Sequence, residues 1–194
     1  MAPVSPHGSA RIASFGIALL RRLDWTDLDW AVGLRNRPEV RQWFFDAQAV
    51  ELSVGRDWLM RRADSDSDTL LVICHGESGR RVGTLGWMLA DADRRVYETG
   101  RFVLGGTELR ALLRERVAAT SELKGLGADA CLALREHLFS VRNASRIVTA
   151  YKPGNVLAAR INESVGLQRT GGEDGERVAC ELTRERWLHL SERS

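Results

Sequence analysis

Hydrophobic and polar positions follow two different periods along the chain. Within 121–141, Leu126, Ala130, Leu134 and Leu138 are spaced four residues apart, which places them on one face of a helix. Elsewhere, short apolar runs bounded by glycine or polar residues predict strands. The predicted strands cover residues 16–23, 69–75, 82–89, 96–104, 146–151 and 177–182.

Other periodic segments predict further helices. Thr26 and Asp29 have the spacing of a capping box at the start of the first helix, and Gly166 is a typical helix stop. Besides the helix within 121–141, the predicted helices cover residues 26–36, 38–45, 53–62, 107–117 and 153–165, with a last helical turn at 187–188. This order predicts an α/β fold with a mixed central sheet, antiparallel in its front half and flanked by helices.

The length and composition indicate one globular domain. The chain has 194 residues, of which 44% are hydrophobic and 28% are charged. We expect a flexible N-terminal tail at 1–15 and a single domain at 16–194. No apolar run has the length of a membrane span, and the polar start lacks the apolar segment of a signal peptide. We therefore expect no membrane partner.

Charge and cysteine spacing narrow the classes of function. The formal net charge is +2 and no basic run is present, which argues against nucleic acid as a partner. Cys74, Cys131 and Cys180 are far apart and flanked by apolar residues, which predicts buried reduced thiols. Neither the cysteines nor the histidines have metal-ligand spacing. These features favour a cytoplasmic protein without a metal.

A glycine-rich stretch precedes the central helix. Gly125 and Gly127 predict a small loop that opens into the helix, with Leu126 between them and Ala128 behind. Amides at a helix N-terminus bind anions, and Lys124 adds a cation, so this loop would suit a phosphate or pyrophosphate. The alternative is an ordinary tight turn, since the stretch lacks the spacing of the known nucleotide-binding loops.

Three stretches together resemble the GNAT superfamily of acetyl-CoA-dependent N-acetyltransferases. Glu122–Ala128 is similar to the family's pyrophosphate loop, and Asn155–Leu167 is similar to its second motif. Leu20–Arg41 resembles the amino-terminal signature of two branches, which acetylate ribosomal-protein N-termini and amino sugars. The extra segment 107–120 and the loop after it are similar to those of aminoglycoside acetyltransferases. The resemblance spans about residues 17–190.

The resemblance implies the activity and the cofactor. It implies an enzyme that transfers an acetyl group from acetyl-CoA to a primary amine of a small molecule, an amino sugar or an aminoglycoside-like compound. An N-terminal protein acetyltransferase is the alternative within enzymes. A catalytically inactive acyl-CoA-binding module is the alternative from another class. A homodimer is a further possibility, since exposed strand edges in this fold often pair.

The resemblance also implies roles for individual residues in the cofactor site. The backbone of Phe102, Val103 and Leu104 would hold the carbonyl oxygen of the thioester as it becomes an oxyanion. Asn155 would bond the pantetheine arm, although it is equally suited to cap a helix. Lys124, Gly125, Leu126, Gly127 and Ala128 would hold the pyrophosphate.

Catalytic and substrate residues follow from the same resemblance. Glu98 is the candidate general base, or else a strand residue paired with an arginine such as Arg101 or Arg94. Tyr151 is a candidate general acid, or else a packing residue, because Asn162 stands where many members have the tyrosine. The candidate substrate wall consists of Trp43, Phe45 and Asp46.

Overall fold

A computed structural model describes residues 11–62, 65–115, 117–170 and 175–192. Its strands are β1 (Arg11–Phe15), β2 (Ala18–Arg22), β3 (Asp68–His75), β4 (Arg81–Asp91), β5 (Val96–Leu104), β6 (Arg146–Tyr151), β7 (Gln168–Arg169) and β8 (Val178–Thr183). Its helices are α1 (Leu28–Asn36), α2 (Pro38–Arg41), α3 (Leu52–Arg62), α4 (Gly106–Arg114), α5 (Thr120–Glu136), α6 (Val156–Ser164) and α7 (Arg184–Ser191). A π-helical turn, His137–Val141, continues α5. None of the described helices is long and apolar enough to cross a membrane.

The described strands form one mixed sheet in the order β1-β2-β3-β4-β5-β6-β8-β7. From β1 to β5, each strand pairs antiparallel with the next one along the chain. β5 then pairs parallel with β6, and β8 lies between β6 and β7. The α/β fold with an antiparallel front half is therefore confirmed.

Helices cover both faces of the sheet because its strands are apolar on both faces. On β3, Leu71 and Ile73 belong to the core cluster that contains the apolar side of α5. Val72 and Cys74, which alternate with them, belong to the cluster that contains residues of α1 and α3. The layers are therefore α1 and α3, the sheet, and α5.

The first strand differs from the expectation for the N-terminus. Arg11–Phe15, which the sequence analysis assigned to a tail, pairs antiparallel with Ala18–Arg22 as strand β1. The turn between the two strands contains Gly16, at a φ of 49°. The hairpin is held to α5, since the amide of Ile17 donates to the Asp129 carboxylate at 3.1 Å. Residues 1–10 lie outside the described part.

The predicted capping box at Thr26 and Asp29 is wrong. Asp27 occupies the N-cap position, and its side chain makes no capping hydrogen bond. Its carboxylate is 1% exposed and accepts hydrogen bonds from Arg21 at 2.5 and 2.8 Å and from Arg81 at 3.2 Å. Burial raises the pKa of Asp27, but these arginines hold it below its ordinary value overall. The carboxylate binds arginines because a buried charge needs charged partners.

The predicted glycine loop is also wrong, because its residues are helical. Helix α5 begins at Thr120, so the amides of Gly125 and Gly127 lie inside the helix and are used by its own hydrogen bonds. Leu123 is only 9% exposed and extends the apolar stripe one turn towards the N-terminus. Its burial offsets the helical cost of the two glycines, about 1 kcal/mol each.

Candidate active site

A fork between two parallel strands organises the candidate site. β5 and β6 are paired only along the first three residues of each strand, ending at Glu98 and Val148. Beyond that point the strands separate, although the Thr149 hydroxyl still donates to the Thr99 carbonyl oxygen at 2.8 Å. The separation leaves one backbone edge of each strand unpaired and opens a cavity between them.

A β-bulge shapes the β5 arm of the fork. The β4–β5 register shifts between Thr84 and Gly86, and Arg101 has a φ of 54°. Further along, the amide of Gly105 donates to the Val82 carbonyl at 2.8 Å. Hydrogen bonds alternate in direction along an antiparallel strand, so the amide of Leu104 is directed away from β4, towards the open side. The arm thus presents a backbone donor to the cavity.

The cavity has a volume of about 740 Å³. Its walls come from both arms of the fork and from the α1–α2 junction, α4, α5 and α6. Most predicted site residues line it, namely Trp43, Phe45, Glu98, Phe102, Val103, Leu104, Tyr151 and Asn155. The fold therefore brings together residues that are more than 100 positions apart in the sequence.

Six predicted site residues do not line this cavity. They are Asp46, Lys124, Gly125, Leu126, Gly127 and Ala128. Leu126 is fully buried in the core, because it belongs to the inward face of α5. Gly127 packs behind the cavity wall, where an added Cβ would lie 2.9 Å from Leu104 Cδ1 and 3.3 Å from Phe102 Cζ. Asp46 instead accepts a hydrogen bond from the amide of Gln48 at 2.9 Å.

Glu98 and Tyr151 face the cavity from opposite arms of the fork. The alternative pairing of Glu98 is not seen within the described residues, since Arg101 binds Asp68 at 2.6 Å and Arg94 approaches Asp91 at 3.8 Å. Tyr151 is 8% exposed and belongs to a small apolar cluster, so it also packs. A carboxylate without an ion-pair partner and a phenol hydroxyl are suitable groups for proton transfer.

Asn155 and Asn162 belong to the α6 wall. The Asn155 side chain accepts from the amide of Ala158 at 3.0 Å, so it is the helix N-cap. Asn162 lines the cavity at the position that the resemblance assigns to a tyrosine. Helix α6 ends before Gly166, whose φ of 90° confirms the predicted stop.

Apart from Glu98, the charged residues on the walls were not among the site residues predicted from the sequence. Arg37, Glu39, Arg101, Arg110 and Arg135 all line the cavity. Three of these arginines are paired with acids, since Arg37 binds Glu108, Arg101 binds Asp68 and Arg135 binds Glu136. In the part of the chain that the structure describes, the Glu39 and Glu98 carboxylates have no ion pair. Glu108 and Asp68 lie 71 and 33 residues from the arginines they bind, so those two pairs leave no local pattern in the sequence.

Cys131 is a further cavity residue, on α5. Burial raises the pKa of its thiol to about 12. The group therefore remains protonated near neutral pH, and it is a poor nucleophile because the thiolate is the reactive form. The three cysteines are free thiols, as predicted, although Cys131 is only partly buried.

An aromatic segment, residues 42–46, closes one side of the cavity. The Lys152 ammonium donates to the Gln42 carbonyl at 2.9 Å, which joins the segment to the turn after β6. The Arg177 guanidinium lies 4.7 Å from the centre of the Phe45 ring, which joins it to the residues before β8. Trp43 and Phe45 keep 40% and 48% of their surface exposed.

Residues 18–168 match the profile of a family described as acetyltransferase (GNAT) domain. No curated protein matches the sequence significantly.

Solved structures with this fold share little sequence with the chain. FdhC, a nucleotide-linked sugar GNAT solved in its apo form, has a TM-score of 0.73 and 12% identity, over 96% of this chain and 97% of its own. Aminoglycoside acetyltransferase AAC(6')-Ib with coenzyme A has a TM-score of 0.68 and 22% identity, over 90% and 99%. Spermidine N-acetyltransferase from Vibrio cholerae, with coenzyme A and spermine, has a TM-score of 0.67 and 14% identity, over 89% and 98%.

Proposed function

Because the chain belongs to the GNAT acetyltransferase family, we propose that it transfers an acetyl group from acetyl-CoA to a primary amine of a small molecule, an amino sugar or an aminoglycoside-like compound. The observation that carries this proposal is the fork of β5 and β6, where a cavity of about 740 Å³ is lined by the carboxylate of Glu98. Acyl transfer to an amine needs a proton acceptor beside a site for the acyl carbonyl, and the β5 arm of the fork supplies both groups, Glu98 and the amide of Leu104.

The residues of the fork fit the thioester end of acetyl-CoA. The open edge of β5 offers the amide of Leu104, which suits a carbonyl oxygen that gains negative charge. When bound, acetyl-CoA supplies an activated acetyl group as a thioester. The pyrophosphate end fits less well, since the amides of Gly125 and Gly127 are used within α5. For those glycines, cofactor binding stays a prediction.

Glu98 is the proposed general base. The acceptor amine is protonated near neutral pH and must lose a proton before it can attack. Glu98 can take this proton directly or through one water. Tyr151, on the opposite arm, is the proposed proton donor to the leaving thiolate. A thiol has an ordinary pKa of about 8.5, so this step needs little assistance and tolerates Asn162 at the usual tyrosine position.

The aromatic segment favours a small acceptor over a protein N-terminus. A peptide would need an open channel between the early helices and the final hairpin. The contacts of Lys152 with Gln42 and of Arg177 with Phe45 cross that channel. The exposed faces of Trp43 and Phe45 suit stacking on a sugar ring, and the Glu39 carboxylate suits a cationic amine.

A thiol-release assay tests this function. Acetyl-CoA is combined with glucosamine, kanamycin, spermidine and a peptide with a free N-terminal alanine, and acetylated products are identified by mass spectrometry. We expect release with at least one of the first three amines and none with the peptide. Turnover of the peptide alone would support the protein N-terminal alternative. Binding of coenzyme A by calorimetry without turnover of any amine would support the inactive binding module.

A further inference from the structure

Helix α4, the segment inserted after β5, is joined to the early helices by one carboxylate. Glu108 accepts hydrogen bonds from the Arg37 guanidinium at 2.9 and 2.7 Å, in a two-pronged pair. The indole of Trp30 donates to the same carboxylate at 3.2 Å. Only 15% of the Glu108 side chain and 28% of the Arg37 side chain are exposed. The pair is therefore shielded from the solvent more than a surface ion pair.

Only one partner of this pair lines the cavity. Arg37 is a wall residue, two positions before Glu39 in the sequence and bound to Glu108 of α4. Glu108 lies behind the wall and does not line the cavity. An acid placed there adds no hydrogen bond to a ligand in the cavity, but it cancels the charge that Arg37 would otherwise present to that ligand.

The pKa shifts of Glu108 and Arg37 indicate that both side chains stay charged, so that each neutralises the other. Burial raises the pKa of Glu108, yet the hydrogen bonds from Arg37 and Trp30 hold it below its ordinary value overall. The hydrogen bond with Glu108 raises the pKa of Arg37. Both groups therefore stay charged near neutral pH, and their charges cancel where the acceptor would bind.

We propose that Glu108 determines the charge selectivity of the acceptor site by neutralising Arg37 in the cavity wall. With this arginine neutralised, the described wall keeps two carboxylates without an ion pair, Glu39 and Glu98, against one guanidinium without an ion pair, Arg110, so its net charge is negative and a cationic amine binds favourably. Without Glu108, the wall presents Arg37 as a second guanidinium without an ion pair, which repels a polycation and attracts an acceptor that carries a phosphate or a carboxylate. The inference rests on the proposed amine acetylation and assigns a substrate class to that site.

Kinetics of Glu108→Gln with two kinds of amine test this inference. The probes are a polycationic amine, kanamycin or spermidine, and an anionic amine, glucosamine 6-phosphate. We expect the KM of the polycation to rise about tenfold and the KM of the anionic amine to fall, because one charge is unmasked at short range. The KM of acetyl-CoA should stay within about twofold, because the change concerns the acceptor wall.

Two further variants distinguish neutralisation of the Arg37 charge by Glu108 from a purely structural role of Glu108. Arg37→Gln combined with Glu108→Gln removes both charges, so the KM of the polycation should return to near the wild-type value. Arg37→Gln alone leaves Glu108 uncompensated, and the KM of the polycation should fall while that of the anionic amine rises. The single Arg37 variant keeps the test decisive if Glu108→Gln does not fold.

Glu115→Gln is the matched control. Glu115 follows α4 and forms an ion pair with Arg80, away from the cavity. This variant breaks a tether of the same helix and should leave every KM unchanged. Equal increases in KM for both amines in Glu108→Gln, with no recovery in the double variant, would overturn the inference. A wild-type protein that acetylates no amine would instead refute the proposed function.

Discussion

The hydroxyl of Thr149 donates a hydrogen bond to the carbonyl oxygen of Thr99, 2.8 Å away. The two strands pair through their backbones up to Glu98 and Val148, one residue earlier in each strand. At Thr99 and Thr149 the described contact between them is made by a side chain. It sets the width of the fork at its narrow end, where the candidate base lies. Further along, the arms carry Tyr151 on one side and Leu104 on the other.

Thr149→Val should widen the fork at its base. The methyl group replaces the hydroxyl with little change in volume, so the variant loses the bond to Thr99 and leaves that carbonyl unpaired. We expect a loss of about 1 kcal/mol of unfolding free energy, a fall in Tm of about 2–4 °C, and a lower kcat. Thr149→Ser keeps the hydroxyl and is the control. Equal kcat values in Thr149→Val and the wild type would contradict a positioning role.

Glu98→Gln should abolish most of the chemistry without affecting cofactor binding. The amide cannot accept the amine proton as a carboxylate does, so we expect kcat to fall by about 10²–10⁴, with the Kd of coenzyme A unchanged by calorimetry. Tyr151→Phe should have a smaller effect, because the thiolate is a good leaving group. A kcat within twofold of wild type in Glu98→Gln would exclude Glu98 as the base.

Gly127→Val should be destabilising, because α5 approaches β5 closely at this residue. An added Cβ would lie 2.9 Å from Leu104 Cδ1 and 3.4 Å from Ile161 Cδ1. We expect a loss of about 1–3 kcal/mol and weaker binding of coenzyme A, because two cavity residues must move. The control is Gly33→Ala on α1, where a Cβ would meet nothing within 4 Å. It should stabilise the protein by up to about 1 kcal/mol. Chemical denaturation measures both effects.

Stability should fall at mildly acidic pH because of His137. Its ring centre lies 5.5 Å from that of Trp87, with the two rings tilted by 38°, and neither ring nitrogen has a hydrogen-bond partner among the described residues. Burial, then Arg142 and Arg22, lower the pKa of His137, and Asp66 opposes them. Below pH of about 6.5 the unfolded chain therefore binds a proton that the native protein does not. The free energy of unfolding should decline until the pH passes below the native pKa.

His137→Phe removes this titrating group and keeps an aromatic ring in its place. In this variant, urea denaturation should give a shallower loss of stability between pH 7 and pH 5 than in the wild type. His189→Phe is the control, because His189 is exposed on α7 and 3.8 Å from Glu192. An unchanged pH dependence in His137→Phe would show that another group titrates there.

Strands of the sheet were the most predictable part of the fold. Val96–Leu104 and Arg146–Tyr151 match the predicted bounds, and α6 ends at the predicted glycine stop. These segments combine β-branched or apolar residues with clear turn or stop residues at their ends, so local preference and tertiary packing agree. The loop predicted at Gly125 and Gly127 is helical because burial of Leu123 outweighed local preference, which no count of glycines reveals.

At the site, residues predicted from strand positions, such as Glu98 and Tyr151, do line the cavity. Prediction failed where the role of a side chain depends on a partner far along the chain. The capping box was placed at Thr26 and Asp29, and the role of Asp27 was missed because its partner Arg81 is 54 residues away. Arg37 was overlooked because Glu108, 71 residues away, defines its state. Such pairs depend on the topology of the fold. The local sequence pattern does not show which charge, far away in the sequence, is close in space.

The parallel pairing of β5 with β6 also has a consequence for folding. Strands β1 to β5 pair with sequence neighbours, so they can assemble as the chain leaves the ribosome. The fork cannot form until β6 has been synthesised, after α4 and α5. We therefore expect nascent chains that end before residue 146 to contain a sheet but no fork. Acyl transfer would be the last property that this chain acquires during its synthesis.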